Sequence, residues 1–241
     1  MEAGAEGDQT RLAFLYYASL LATPLKTLSN SLVFSGNNQN VGGQANNNNA
    51  VTLYNTAQLY RGITMALNLG VSHTSEDQET GGSQTHTDAY VNPGINITPS
   101  PTMTLTFYYL GKKSYLSGVA TGSSSDITEN RFDVGASWTP VRTVFLSASV
   151  SSDSTTGQMS SLQQNYGLNW NPFPDGQLQF SFIYTESYLP GRSTIIQPSL
   201  RWYVGAKRRS YLDLSYQFNT TESGGQKIET NIVSSTLKIF F

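Results

Sequence analysis

The strongest signal in this sequence is an alternation of apolar and polar residues with a period of two, broken at intervals by turn-forming residues. Ile63, Met65, Leu67, Leu69 and Val71 alternate with Thr64, Ala66, Asn68, Gly70 and Ser72. Met103, Leu105, Phe107 and Tyr109 are separated by Thr104, Thr106 and Tyr108, and Phe132, Val134, Ala136 and Trp138 by Asp133, Gly135 and Ser137. Leu178, Phe180, Phe182 and Tyr184 follow the same rule, as do Leu200 with Trp202 and Leu212, Leu214, Tyr216 and Phe218. Successive strand residues point to opposite faces, so each run predicts a β-strand with one apolar and one polar face. Strands are expected at 11–22, 27–36, 51–60, 63–73, 86–98, 102–112, 128–139, 143–153, 160–170, 177–188, 193–204, 209–220 and 228–241. The runs are about 9 to 12 residues long, the length a tilted strand needs to cross a bilayer.

Two kinds of connection separate these runs. Thr23 to Thr27, Thr98 to Thr102, Thr139 to Thr143 and Asn171 to Gly176 carry Pro, and Tyr60 to Ile63 and Gly205 to Arg208 take the same place without it. Pro fixes φ and lacks an N–H, which a tight turn tolerates. Between these turns lie polar stretches at Gly36 to Ala50, Ser75 to Thr85, Ser117 to Asp126 and Thr220 to Gln226, expected to be long loops. Tight turns at one end and long polar loops at the other predict an all-β, up-and-down antiparallel transmembrane β-barrel. Its tight turns would be periplasmic and its longer loops extracellular.

The last fourteen residues, Ile228 to Phe241, place Val233, Leu237, Ile239 and Phe241 on one parity and Thr230, Ser234, Thr236 and Lys238 on the other. This segment resembles the closing strand of Gram-negative outer-membrane β-barrel proteins, porin-like in its Phe ending. The resemblance implies an integral outer-membrane location and recognition of Leu237, Ile239 and Phe241 by the barrel-assembly machinery. It also puts Phe241 at the periplasmic rim. Counting back from there reaches thirteen strands, whereas bacterial single-chain barrels have even counts, so 12 to 14 strands are expected. The segment 11–22 has the poorest alternation, with Leu12, Phe14, Leu15, Tyr16 and Tyr17 apolar or aromatic on both parities.

Composition strengthens the membrane reading. Of the 241 residues only 12% are charged, the formal net charge is −2, and 38% are hydrophobic, whereas a soluble domain carries about a quarter charged residues. Charge depletion without high hydrophobicity suits strands that meet lipid on one face and water on the other. No apolar run approaches the roughly 20 residues of a membrane helix. Residues 1–10, MEAGAEGDQT, are acidic where a secretion signal is basic, and read as an N-terminal extension or an added remnant preceding a barrel at 11–241. The absence of Cys removes disulfides and thiolate metal sites. A pI of about 5.6 with no basic stripe argues against a nucleic-acid partner.

The polar parity names the candidate lining of a passage: Asn68, Asn92, Asn96, Arg131, Asp133, Asn165, Asn169, Gln177, Gln179, Arg201, Asp213, Gln217 and Lys238. Both charge signs occur, which suits a water-filled, weakly selective passive channel for small hydrophilic solutes, since a selective pore concentrates one sign in a ring. Arg201, Asp213 and Lys238, on three adjacent strands, could instead pair and stiffen the wall. Tyr90, Tyr108, Tyr203 and Tyr211 share the polar parity and could stack sugars. Trp138, Trp170 and Trp202 precede tight turns, and Tyr109, Tyr184 and Tyr188 lie towards the other end, as two aromatic girdles would. Among the turns Lys26, Arg61, Arg142, Lys207, Arg208 and Arg209 outweigh Asp175, while the polar stretches hold most of the acids.

Only His73 and His86 could act as conventional bases, and both flank the acidic run of Glu76, Asp77 and Glu79, with Asp88 nearby. No catalytic motif accompanies them, and the acids lack EF-hand spacing. No enzyme activity, metal or cofactor is expected. The second functional reading is a structural outer-membrane barrel that anchors or sheathes a partner in surface-polymer export or electron transfer, possibly a piece of a larger barrel.

Overall fold

The structure is a computed structural model that describes residues 11–42, 44–78, 82–118, 124–189, 191–204 and 210–239. The extension expected at 1–10, the tight turn expected at Gly205 to Arg208, and Phe241 lie outside them. The described residues form β1 (Arg11–Leu25), β2 (Leu28–Val41), β3 (Gln44–Tyr60), β4 (Ile63–Gln78), β5 (Gly82–Ser100), β6 (Met103–Gly118) and β7 (Ser124–Val141). They continue with β8 (Val144–Thr155), β9 (Ser161–Trp170), β10 (Leu178–Leu189), β11 (Gly191–Val204), β12 (Ser210–Ser223) and β13 (Gln226–Lys238). The hydrogen-bonded order is the sequence order, β1 to β13. This is the all-β, up-and-down antiparallel arrangement that the alternation predicts, with 13 strands inside the expected range.

Two compact units share these strands. One comprises Met1–Leu59, Thr64–Pro93 and Leu110–Glu129, and the other Tyr60–Ile63, Gly94–Tyr109 and Asn130–Phe241. In the first, β1 to β3 form a continuous ladder from Leu12↔Asn40 to Leu20↔Leu32 and from Leu28↔Ala57 to Val41↔Gln44. In the second, β8 to β13 are paired in series with no shift of register.

The tight turns share one hydrogen-bonding device. The carbonyl of the residue closing each turn accepts an N–H from a later strand: Gln58 to Thr27 at 2.7 Å, Thr98 to Gly62 at 2.6 Å, Thr139 to Thr102 at 2.8 Å, Asn171 to Thr143 at 2.7 Å and Tyr203 to Gln177 at 2.8 Å. Each turn thereby satisfies a backbone group that a bare hairpin end would leave to water. Gly62 has φ of 78°, and a Cβ there would lie 2.5 Å from the Thr98 carbonyl oxygen, so the turn needs glycine both for conformation and for space.

At the opposite end the structure differs from the sequence-based expectation in detail. Gly36 to Val41 and Gln44 to Ala50 are strand, not loop: Asn37, Asn38 and Gln39 of β2 pair with Asn48, Asn47 and Asn46 of β3. β4 runs to Gln78 and β5 starts at Gly82, and the last polar stretch shrinks to Gly224 and Gly225 at φ of 58° and 79°. Ladder hydrogen bonds are made by the backbone, so an amide-rich segment without Pro can continue a ladder that the neighbouring strand has already set, despite the low strand preference of Asn. The asymmetry of the ends therefore lies in polar strand overhang.

Register sorts most side chains by polarity, because residues directly opposite on antiparallel strands share a face, with Phe145, Ile183, Ile195 and Ile232 the apolar exceptions on the polar face of β8 to β13. On β8 to β13 one face carries Leu146, Leu168, Phe182, Leu200, Leu214 and Val233, and the other Ser147, Asn165, Ser181, Ser199, Ser215 and Ser234. Among the described residues no hydrophobic side chain is buried. A soluble sheet covers its apolar face with a second layer. Among the described residues no such layer shields these side chains.

Candidate functional site

On the polar face of the second unit the ladder sets side chains in rows. Gln179, Arg201, Asp213 and Thr236 form one row across β10 to β13, and Asn169, Ser181, Ser199, Ser215 and Ser234 the next. Tyr203, Tyr211 and Lys238 form the row on the turn side. Arg201 Nε and Nη2 donate to the two Asp213 carboxylate oxygens, each at 2.8 Å. The guanidinium lies 5.1 Å from the Tyr211 ring centroid, and Tyr203 meets Tyr211 edge-on at 5.9 Å. Of the three charges expected on adjacent strands, Arg201 and Asp213 therefore pair, while Lys238 stands opposite Tyr211.

Of the other expected lining residues of this unit, Asn165 and Gln217 share this face by register. Asn165 accepts from Thr185 at 2.9 Å and from Gln163 at 3.3 Å, and Gln217 sits opposite Ile232. Gln177 lies just before β10, where its N–H donates to Asp175 at 3.2 Å. Arg131 and Asp133, two residues apart on β7, pair with each other at 2.9 Å. Tyr108 packs into the space over Gly94, whose strand also carries Asn96.

In the first unit Gly70 leaves room for the Tyr90 ring, whose hydroxyl lies 3.4 Å from Thr52 Oγ1; Asn68 and Asn92 share the parity of Gly70 and Tyr90. Of the four tyrosines considered for stacking, only Tyr203 and Tyr211 form a ring pair. His86 Nε2 is 2.9 Å from Asp88 Oδ1, Lys112 Nζ 3.3 Å from Oδ2, and Ser114 Oγ donates to Oδ1 at 2.5 Å. The serine thus binds the carboxylate, whereas a nucleophile would bind the imidazole. His73 pairs with Thr87 at 2.8 Å.

The apolar face of β9 to β13 is bounded at both ends. Trp170 and Trp202, 46% and 50% exposed, flank the tight turns, as does Trp138 on β7 at 48%. At the far end a row of Glu186, Thr194, Thr220 and Glu229 interrupts the apolar parity. Arg192 binds Glu186 at 2.6 Å, Tyr184 donates to Glu186 at 3.0 Å, and Tyr188 lies under Arg192 at 5.9 Å. Tyr109 donates to Asn130 at 2.7 Å. From Thr194 to Val204 on β11 this parity is uncharged. Ten steps of about 3.3 Å, tilted by about 45°, span about 23 Å of depth, close to the ~25 Å apolar band of outer-membrane barrels. Sequence reasoning missed this polar row, although the switch from Tyr184 to Glu186 and from Phe218 to Thr220 on one parity marks it.

No protein-family model and no curated protein matches the chain. Solved structures do. The siderophore receptor PirA from Pseudomonas aeruginosa superposes with a TM-score of 0.69 at 8% identity, over 94% of this chain and 51% of the receptor. PirA from Acinetobacter baumannii gives 0.62 at 8% identity over 95% and 48%, and the ferric-catecholate import receptor Fiu from E. coli K12 gives 0.55 at 9% over 88% and 46%. The chain spans about half the length of these receptors. It has the fold of integral β-barrel proteins of the Gram-negative outer membrane.

Proposed function

We propose that this chain forms an outer-membrane barrel wall whose polar face lines a water-filled, weakly selective passive channel for small hydrophilic solutes. The observation that carries the reading is the division of faces: an uncharged apolar band of bilayer depth on one parity, and amides, hydroxyls and self-paired charges on the other. The apolar band faces lipid, with Trp138, Trp170 and Trp202 at the turn-side interface and Tyr109, Tyr184 and Tyr188 at the other. Arg131 with Asp133 and Arg201 with Asp213 cancel locally, so neither ion sign is strongly favoured. β13, with Leu237 and Ile239 on the apolar parity, serves as the strand presented to the assembly machinery. The barrel has no enzymatic role in this reading.

A second reading, a structural barrel that anchors or sheathes a partner, draws on β1. Leu12, Phe14 and Leu20 on one parity and Leu15, Tyr17 and Leu21 on the other are all more than 60% exposed. A strand apolar on both faces suits contact with protein on the side where a channel wall would meet water. Planar-bilayer recording of the refolded protein separates the two: stable ohmic openings support the channel, and a folded, heat-modifiable but silent barrel overturns it.

A further inference from the structure

The polar face of β9 to β12 holds a recess of about 410 Å³ beside the Arg201 and Asp213 pair. Its volume falls within the roughly 300–1,000 Å³ usual for small-molecule sites. Asn169, Gln179, Ser181 and Ser199 line it together with that pair. The chemistry of this wall is specific. The bidentate contact uses two of the five guanidinium N–H groups and one lone-pair site on each carboxylate oxygen, and Tyr203 accepts a further bond from Arg201, so some donors and acceptors remain for a ligand. Two side-chain amides and two hydroxyls add further groups able to donate or accept. The pair is neutral as a unit, so the wall attracts neither a free cation nor a free anion. Tyr203 and Tyr211 form the next row on the turn side, with the Arg201 guanidinium over the Tyr211 ring, and back the pair from outside the recess.

A molecule that matches this wall is neutral and carries many hydroxyls. We infer that the recess is a binding subsite for a neutral sugar, with Arg201, Asp213, Gln179 and Asn169 holding its hydroxyls. The inference rests on the channel reading only in that the sugar reaches the recess along the polar face. It would turn a passage that selects by size into one that retards sugars on the way through.

Maltose is the probe. Isothermal titration of the refolded protein in detergent micelles measures binding without requiring a pore, and planar-bilayer recording in parallel measures conductance. Saturable maltose binding is expected, weakened at least about tenfold by the double variant Arg201→Leu, Asp213→Leu and by Ser199→Phe, which fills the recess. Heat-modifiable mobility on a gel reports the folding of each variant, and Ser199→Phe carries the test if the double variant misfolds. Absence of maltose binding to the wild-type protein, binding unchanged in folded variants, or glucuronate binding about tenfold more tightly than maltose overturns the inference. Conductance without maltose binding also overturns it and leaves the channel standing. Maltose binding without conductance sinks the channel and supports the subsite.

Discussion

Arg201 on β11 and Asp213 on β12 stand directly opposite each other, with two parallel nitrogen to oxygen contacts of 2.8 Å. Their side chains are 44% and 31% exposed, and pairs of this exposure contribute about 0.2–1 kcal/mol to stability. Their larger consequence is electrostatic. Asp213→Asn leaves a net positive charge on the polar face and shifts the reversal potential in a salt gradient towards anion preference. Arg201→Gln shifts it towards cations, and the double variant returns near the wild-type value. Single variants that leave the reversal potential unchanged would place the pair outside the conducting path.

Pro198 sits in the interior of β11. Its partner on β10 is Phe182, but pairing to β12 skips Gln197 and Pro198, resuming at Ser199↔Ser215. The missing N–H therefore faces β12. Pro198→Val supplies that donor and a β-branched side chain on the apolar face, and is expected to stabilise the folded protein by about 0.5–1.5 kcal/mol. Urea unfolding in lipid vesicles reads this as a raised midpoint.

Gly62→Ala puts a side chain at a φ of 78°, 2.5 Å from the Thr98 carbonyl oxygen. The backbone conformation alone costs about 1–2 kcal/mol, and displacement of Thr98 adds the loss of its 2.6 Å bond to Gly62. Gly157→Ala, at φ of 77° with nothing within 4 Å, pays only the conformational part, so it is expected to lower the urea midpoint less.

Tyr216 donates to Asn231 at 2.6 Å within the apolar face of β12 and β13. Tyr216→Phe removes the donor and leaves the amide oxygen unpartnered by Tyr216 on the face proposed to meet lipid. A loss of about 0.6–1.7 kcal/mol is expected, measured by the same unfolding experiment, and Tyr216→Phe combined with Asn231→Leu should recover most of it.

The parts of this fold that were legible in sequence are those where one parity is apolar. Leu212, Leu214, Tyr216 and Phe218 alternate visibly, and the structure places them on one face of β12. The segment from Gly36 to Val41 was not legible as strand, because Asn37, Asn38, Gln39 and Asn40 give no hydrophobic period for either face to reveal. The bond between Arg201 and Asp213 was one of two readings from sequence. Choosing it required the register across β11 and β12, which depends on turn geometry that composition does not specify. The Glu186 and Arg192 contact was hidden for a different reason: two charges on an apolar parity read as breaks in the pattern until the ladder sets Glu186, Thr194, Thr220 and Glu229 in one row.

If one parity of β11 meets lipid and the other meets water, adjacent residues of this strand should differ sharply in their tolerance of charge. Leu200 lies on the apolar face and Ser199, its neighbour, on the polar face. Equilibrium unfolding in lipid vesicles should show Leu200→Arg destabilised by about 2–4 kcal/mol, the cost of a lipid-facing arginine near mid-bilayer, while Ser199→Arg changes stability by less than about 1 kcal/mol. Equal costs at the two positions, or a larger cost at Ser199, would contradict the assignment of faces and with it the barrel wall.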